Sequence, residues 1–194
     1  MSSREAILKA IKEKKSVCDV TLPEVNIPHM HYDNIDEKFS TSLASVGGNA
    51  VFMKDLSELE AYIKEHYQDA RVIVSNVEGL EISTKIANEV DDPHSLKDVD
   101  LAIIQGEFAV AENGAVWVKE KNNRHRALYF ITQKLVMVVP HGAIVDTMHE
   151  AYERVNFEEG TFGVFISGPS KTADIEQSLV IGAHGATEAC VAFI

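Results

Sequence analysis

The sequence predicts an α/β fold built around a mostly parallel sheet. Short runs of aliphatic and β-branched residues alternate with helical patterns, and this alternation is typical of parallel strands joined by helices. Residues 99–107, VDLAIIQGE, are apolar on both faces of a predicted strand, as expected for a strand inside such a sheet. The chain has 194 residues, of which 45% are hydrophobic, so it can bury the core of one domain.

The N-terminal half is predicted to contain four helices and three short strands. The helices are expected at 2–15, 37–47, 55–67 and 80–89, the last as a helix or a short turn-helix, and the strands at 49–53, 71–75 and 99–107. Asp55 begins the third helix as an N-cap, with Glu58 at the capping-box position. Residues 19–36 hold two prolines and no steady period, so we expect an extended linker or a wrapping arm there.

The C-terminal half is predicted to contain more strands than helices. Residues 108–118, FAVAENGAVWV, predict a hairpin with a two-residue turn at Asn113-Gly114. Residues 127–140 are expected to form a strand pair or one broken strand, and 143–156 a helix. We expect a strand at 161–167 and one or two helical turns at 172–177. Two final strands are expected at 178–182 and 189–194. Ligands of parallel sheets bind beyond the carboxyl ends of strands, which points to the loops after Val74, Ile104, Val139 and Ile166.

The composition restricts the partners of the chain. The formal net charge is −12 and the pI is about 5.0, so the surface repels phosphate backbones and we expect no nucleic-acid partner. A small anionic ligand would need a local positive site. Residues 1–16 are charged and lack the apolar core of a signal peptide, and the longest apolar run, 135–140, is too short to span a bilayer. We therefore expect a cytoplasmic protein with no membrane partner.

The cysteine count restricts the cofactors. The chain has two cysteines, Cys18 and Cys190, and neither belongs to a CxxC motif. An iron–sulfur cluster or a zinc ribbon needs more thiolates than this, so we expect neither group in this chain alone, and the cofactor stays unknown. Cys190 lies in an apolar strand and is interpreted as a core thiol. The histidines show no recognised metal spacing, so no metal site is assigned.

The segment SGPSKTADIE, residues 167–176, is the main candidate for a ligand loop. It places Gly168, Ser170, Lys171 and Thr172 between a predicted strand and a predicted short helix. Backbone N–H groups at a helix start attract anions, and the Lys171 ammonium adds a point charge. Ser170 precedes the lysine where a Walker A loop requires glycine, so this is not a nucleotide loop of that kind. The alternative is structural: Thr172 caps the helix, and Asp174 is solvated near its positive end.

The other candidate site residues lie at the end of a predicted strand or in a loop that follows one. Glu107 ends the strand 99–107, where a partly buried carboxyl would have a raised pKa and could act as an acid or base. His184 follows the strand 178–182 and, with Asp174, completes the candidate catalytic set, although such a histidine is often only a structural hydrogen-bonding residue. Arg126 lies in a cationic loop and can clamp a carboxylate or phosphate bidentately, unless that loop is simply solvated.

The C-terminal segment resembles a known family. Residues 168–176 read Gly-Pro-Ser-Lys-Thr-Ala-Asp-Ile-Glu, and an apolar strand, Gly-x-His-Gly and a final strand follow. With the looser matches GEFAVAENGAVWV and LVMVVP, this resembles the LUD-domain family, in the form found in lactate-utilisation protein C. Asn113-Gly114 stands where the family usually has Thr-Gly, and Arg126 lacks the Leu-Pro and His that commonly follow it. We expect an N-terminal helical extension and linker arm at 1–44 and a LUD domain at 45–194.

The resemblance implies a three-layer α/β sandwich like that of the NagB/RpiA/CoA-transferase group. It also implies a subunit that takes part in the oxidation of L-lactate to pyruvate beside sister subunits that carry iron–sulfur clusters, and it leaves open whether this subunit is itself an enzyme. The accompanying site hypothesis is a small-anion cleft at the carboxyl ends of strands, lined by Glu107, Gly168, Ser170, Lys171, Thr172, Asp174 and His184. The alternative is a self-standing enzyme or binding module, a monomer or a homodimer, for a phosphorylated, coenzyme A-like or folate-like small molecule.

Overall fold

The computed structural model describes residues 3–14, 28, 30–120, 124–155, 162–173 and 179–194. Its centre is a five-stranded sheet in which every neighbouring pair of strands is parallel. The strands are β1 (Asn49–Phe52), β2 (Ile73–Ser75), β3 (Leu101–Gln105), β6 (Lys134–Val139) and β11 (Glu188–Phe193). They lie in the order β1, β11, β6, β3, β2, so the last strand of the chain is in the interior of the sheet. The predicted parallel sheet is confirmed.

Both faces of this sheet are covered. On one face, helix α3 (Leu56–His66) packs Leu59 and Ile63 into a cluster with Leu101 and Val136 of the sheet. On the other face, helix α2 (Ile35–Ser45), the short helix α4 (Leu128–Ile131) and a second sheet close a larger core. Helix α3 is therefore one layer, the central sheet is the second, and the second sheet with helices α2 and α4 is the third. The predicted three-layer α/β sandwich is confirmed.

The second sheet contains the predicted hairpin. Its strands β4 (Phe108–Val110), β5 (Ala115–Lys119), β7 (Ile144–Val145) and β8 (Gly163–Ile166) lie in the order β7, β4, β5, β8. Val110 pairs with Ala115, which leaves residues 111–114 in the turn. The prediction of a two-residue turn is wrong, because Gly114 at φ +68° donates its N–H to the carbonyl of Val110 (3.0 Å) and closes a longer turn.

Three predicted elements differ from the structure. Residues 80–89 form only a 3₁₀ turn at Ala87–Glu89, because the N–H groups of Thr84 and Lys85 donate to the carbonyl of Ile73 beside the edge strand β2. Residues 127–140 form α4 and then β6 rather than two strands, since α4 buries Leu128 and Tyr129 ahead of the sheet. The helix predicted at 143–156 begins only at α5 (Met148–Arg154), where Thr147 accepts from the N–H of Glu150 (3.4 Å) and caps it.

The N-terminal helix is present but buries nothing. α1 (Ser3–Lys14) confirms the helix predicted at 2–15 over its described residues, and its apolar side chains Ile7, Leu8 and Ile11 are exposed. Within the described ranges, no helix is both long enough and apolar enough to cross a membrane.

The C-terminal end of α2 is held between two glycine turns. α2 runs across residue 44, the expected domain boundary, and its Phe39 and Leu43 are fully buried. A Cβ at Gly114 would lie 2.7 Å from the backbone N and Cα of Leu43, and a Cβ at Gly168 would lie 2.8 Å from the carbonyl O of Val46. Both glycines have positive φ angles, so the two loops reach the helix end only because they carry glycine. The division of the chain at residue 44 stays a prediction.

Gly114→Ala is expected to lower the free energy of unfolding by about 2–4 kcal/mol, because it combines a left-handed backbone with a clash against helix α2. Gly142→Ala is the matched control: its φ is +77°, but nothing lies within 4 Å of the added Cβ. Only backbone strain of about 1 kcal/mol is expected there. Denaturant titration measures both, and equal losses would contradict a role for the contact with Leu43.

The arm predicted at 19–36 is described at residue 28 and from residue 30 onward, and there it is anchored on Asp146. One carboxylate oxygen of Asp146 lies 2.9 Å from Nδ1 of His31, and the other accepts from the backbone N–H of Tyr32 at 2.9 Å. Burial opposes the charge of Asp146, yet the hydrogen bonds from His31 and Tyr32 hold the pKa of its carboxyl below the usual value. The hydrogen bond to Asp146 also raises the pKa of His31.

This anchor is expected to weaken at alkaline pH. The folded-state pKa of His31 is raised above 6.5, so stabilisation by the charged pair is complete below that pH and is lost as the pH rises through the folded-state pKa. The difference in Tm between the wild type and His31→Ala should therefore shrink from about pH 6 to about pH 9. A difference that stays constant over this range would show that the pair contributes nothing as a charged pair.

Candidate functional site

Two adjoining cavities lie at the amino ends of β6 and β11. Both are lined by Phe130, His184 and Gly185, and their volumes are about 460 Å³ and about 230 Å³. The segments that lead into these two strands are joined here, because Thr187, just before β11, donates its N–H to the carbonyl of Gln133, just before β6 (2.8 Å). We call the two cavities together the Phe130 cleft.

The smaller cavity has aromatic and apolar walls. Tyr129 and Phe130 come from α4, Phe165 and Ile166 come from the end of β8, and the loop 167–170 forms one rim. The ring of Tyr129 stands edge-on to that of Phe130, with centroids 6.0 Å apart. Phe130 is nevertheless 46% exposed, so the cleft offers an accessible aromatic ring.

The larger cavity is more polar. Its lining includes Lys97, Gln133 and the loop 182–185. Concave sites of this kind, with a few convergent polar groups beside apolar walls, are the usual form of small-molecule sites. Only the loop after Ile166, among the four loops that the carboxyl-end rule indicated, contributes to the cleft.

The loops of the cleft are fastened to each other by backbone hydrogen bonds. Ser170 donates its N–H to the carbonyl of Ala186 (2.8 Å), and Gly182 donates its N–H to the carbonyl of Ser170 (2.9 Å). A Cβ at Gly185 would lie 3.0 Å from the Cβ of Ser170 and 3.1 Å from the carbonyl O of Phe130. Glycine at 185 therefore allows both rims of the cleft to approach closely.

The structure brings some of the predicted site residues together. Gly168, Ser170 and His184 all line the smaller cavity. The helix start predicted at Thr172 is wrong, because β9 (Lys171–Ala173) pairs antiparallel with β10 (Leu179–Ile181) and aligns Thr172 with Val180. Threonine and the aliphatic residues of β10 favour strands, which agrees with this pairing. Asp174 lies outside the described residues.

Lys171 is engaged at the end of helix α2. Its Nζ donates a hydrogen bond to the backbone carbonyl of Val46, the C-cap residue of that helix. A cation there satisfies a carbonyl that has no partner within the helix and faces the negative end of the helix dipole. The ammonium of Lys171 therefore helps to fix the loop on α2, and its role in ligand binding stays a prediction.

Glu107 and Arg126 lie outside the Phe130 cleft. Glu107 follows β3 at the carboxyl end of the central sheet, opposite the cleft, and its exposed carboxylate lies 3.8 Å from the ammonium of Lys119. Arg126 clamps Glu120 bidentately, with N–O distances of 2.7 and 2.9 Å, and lies over the ring of Phe162 at 4.9 Å. The hydrogen bonds from Arg126 lower the pKa of Glu120. The catalytic role assigned to Glu107 and the ligand-binding role assigned to Arg126 stay predictions.

Sequence reasoning missed Lys97, Phe130 and Gln133 among the residues that line the cleft. The segment ALYFITQKL was interpreted as strand, and a strand would not have placed Phe130 at the site. A signal was present in the adjacent pair Tyr129-Phe130, because a helix of one turn cannot bury two neighbouring aromatic side chains on the same face. Tyr129 is buried, and Phe130 is left for the cleft.

In the parts of the chain that the structure describes, no group of three or more His, Cys, Asp or Glu side chains could hold a metal ion. Cys190 is buried in β11 beside Tyr62 and Tyr67, and burial raises the pKa of its thiol to about 11. Such a thiol stays protonated at neutral pH, as its interpretation as a core residue requires. Cys18 lies outside the described residues.

A family model described as the LUD domain matches residues 3–194. The chain belongs to the LUD-domain family. This match confirms the resemblance expressed by the Gly-Pro-Ser-Lys-Thr-Ala-Asp-Ile-Glu and Gly-x-His-Gly segments. Gly168, Pro169 and Ser170 of the first segment and His184 and Gly185 of the second line the smaller cavity of the Phe130 cleft.

Relatives of this LUD chain carry a common name. A Lactate utilization protein C from Shouchella clausii is 29% identical over 116 residues, which cover 56% of this chain and 51% of the relative. Another, from Geobacillus thermodenitrificans, is 32% identical over 99 residues, which cover 48% of this chain and 41% of the relative. The matches thus span about half the length of these relatives.

The fold of the LUD chain is similar to a solved structure. The crystal structure of a DUF162 family protein from Deinococcus radiodurans matches it with a TM-score of 0.61 at 18% sequence identity. The match covers 82% of this chain and 95% of that one. At this identity the likeness shows a shared fold.

Lys171→Met is expected to lower the free energy of unfolding by about 0.5–1 kcal/mol, because it removes the cation from the end of helix α2. Lys54→Met is the matched control, since the side chain of Lys54 is 87% exposed and its only described ion pair, with Glu58, is 3.8 Å long. Denaturant titration of both variants tests this. A stability of Lys171→Met equal to that of the control would contradict the capping role.

Proposed function

We propose that this LUD chain is a cluster-free subunit that takes part in the oxidation of L-lactate to pyruvate. The observation that carries the proposal is the LUD-domain match over residues 3–194, together with relatives named Lactate utilization protein C. The chain has two cysteines, fewer than the thiolates that an iron–sulfur cluster requires. Electrons leaving lactate would therefore pass onward to sister subunits that carry such clusters.

The Phe130 cleft is the proposed site for the small acid. Ser170 and His184 lie on its rim, and the loops that carry them are joined by backbone hydrogen bonds. The hydroxyl of Ser170 can donate to the lactate carboxylate, and Lys97 adds a positive charge at the larger cavity. Among the described residues, no side-chain ion pair or hydrogen bond engages the Lys97 ammonium.

His184 is the proposed general base in this cleft. Oxidation of an alcohol to a ketone removes the hydroxyl proton as well as the hydrogen on the α-carbon. Imidazole accepts a proton near neutral pH, and His184 is exposed on the side of the cleft where the acid would lie. The carboxylate then stays beside Ser170 while the hydroxyl faces His184.

His184→Asn is expected to slow L-lactate oxidation by about 100-fold or more, because it removes the general base. The measurement is the lactate-dependent reduction of a dye by the chain assembled with its cluster-bearing sister subunits. His141→Asn is the matched control: His141 is also exposed and precedes a glycine, but it lies after β6, at the other end of the sheet.

Two results would contradict the proposed function. One is the failure of any cluster-bearing subunit to co-purify with the chain from its native host. The other is a rate for His184→Asn equal to that of His141→Asn in the assembled system. Saturable binding of a phosphorylated small molecule, measured by calorimetric titration, would then favour the alternative, a self-standing enzyme or binding module.

A further inference from the structure

The Phe130 cleft has more room than lactate needs. A three-carbon acid displaces roughly 100 Å³, the share of three or four water molecules in the liquid. The smaller cavity, with about 230 Å³, already accommodates it, and the larger one adds about 460 Å³. Since the two cavities meet at Phe130, His184 and Gly185, a second and larger ligand can lie in contact with the acid.

The junction of the cavities suits a planar ligand. Phe130 is 46% exposed at this point, and its orientation is supported by Tyr129. Tyr129 is itself fixed, because it is buried and its hydroxyl donates to the carbonyl of Lys119 (3.1 Å). A ring laid on the free face of Phe130 gains a stacking interaction without first ordering that side chain.

The rest of the larger cavity supplies polar groups for such a ring. Gln133 brings a side-chain amide, which can both donate to and accept from the edge of a heteroaromatic ring. Lys97 brings a cation, which suits an anionic tail on the ligand. An apolar face, an amide and a cation together favour a charged heteroaromatic molecule over a second small acid.

The chemistry of the proposed function requires a ligand of this kind. When L-lactate becomes pyruvate, the C–H bond at the α-carbon breaks, and its electron pair leaves with the hydrogen as a hydride. The hydroxyl proton passes to the His184 imidazole, and the C=O bond forms. The hydride must reach an acceptor in contact with the acid, which is thereby reduced by two electrons.

We propose that the larger cavity of the Phe130 cleft binds a planar heteroaromatic hydride acceptor, of the nicotinamide or flavin class, with its ring on Phe130. The ring lies beside His184, where the two cavities meet, and the acid occupies the smaller cavity. The inference rests on the proposed function for the identity of the acid, and on the cleft itself for the second ligand.

Separate titrations of the purified full chain with NAD⁺ and with FMN test the inference. We expect saturable binding of one of the two, followed by calorimetry or by quenching of flavin fluorescence, and the probe that binds identifies the class. Phe130→Leu is expected to weaken that binding about five- to tenfold, because it keeps apolar bulk and removes the ring. Phe130→Tyr is expected to retain it.

Phe52→Leu is the matched control, because Phe52 is 42% exposed and lies at the carboxyl end of the sheet. Its binding should equal that of the wild type, and thermal melting shows whether each variant is folded. Absence of binding of both probes, or equal binding by Phe130→Leu and Phe52→Leu, would overturn the inference.

Failure of this inference is distinguishable from failure of the proposed function. If the assembled system oxidises lactate while the chain binds neither probe, the inference is wrong and the function stands. If the chain binds a probe through Phe130 while the assembled system does not oxidise lactate, the acceptor site stands and the function is wrong.

Discussion

Two backbone hydrogen bonds around Ser170 join the two sheets of this LUD domain at its candidate site. Ser170 follows β8 of the second sheet, and its partners Gly182 and Ala186 lie between β10 and β11. β11 is an interior strand of the central sheet, paired on both sides, so whatever is fastened to its start is fixed relative to the core. Gly185 favours the fastening, because a Cβ there would be tightly placed, 3.0 Å from the Cβ of Ser170 and 3.1 Å from the carbonyl O of Phe130 in α4. The Phe130 cleft lies between these loops and α4.

The distribution of charge leaves few groups for the proposed recognition of an acid in the cleft. In a chain with net charge −12, most cations near the cleft are already engaged. Lys171 binds the end of α2, Arg126 clamps Glu120, and Lys134 lies 2.7 Å from Asp69. Among the described residues of the cleft, Lys97, Ser170 and His184 are the groups proposed to contact an anion.

The sequence predicted the elements whose burial imposes a pattern on neighbouring residues. It did not predict contacts between residues that are far apart in the chain. The parallel sheet was predictable because strands such as β3 are buried on both faces, and this imposes an uninterrupted apolar run. β9 was not predictable, because Lys171–Ala173 becomes a strand only by pairing with β10. The partner of Lys171 is the carbonyl of Val46, 125 residues away, which no local pattern encodes. Glu107 ends one predicted strand and His184 follows another, but the sequence does not say that they lie at opposite ends of the strands of the central sheet.

The proposed position of the small acid is between Ser170 and His184 in the Phe130 cleft. A crystal structure of the chain with L-lactate or pyruvate diffused into the crystals tests it most directly. Electron density for the acid is expected in the smaller cavity, with its carboxylate within hydrogen-bonding distance of the Ser170 hydroxyl. Density for the acid beside Glu107 at the carboxyl end of the sheet, with the Phe130 cleft occupied only by water, would contradict it.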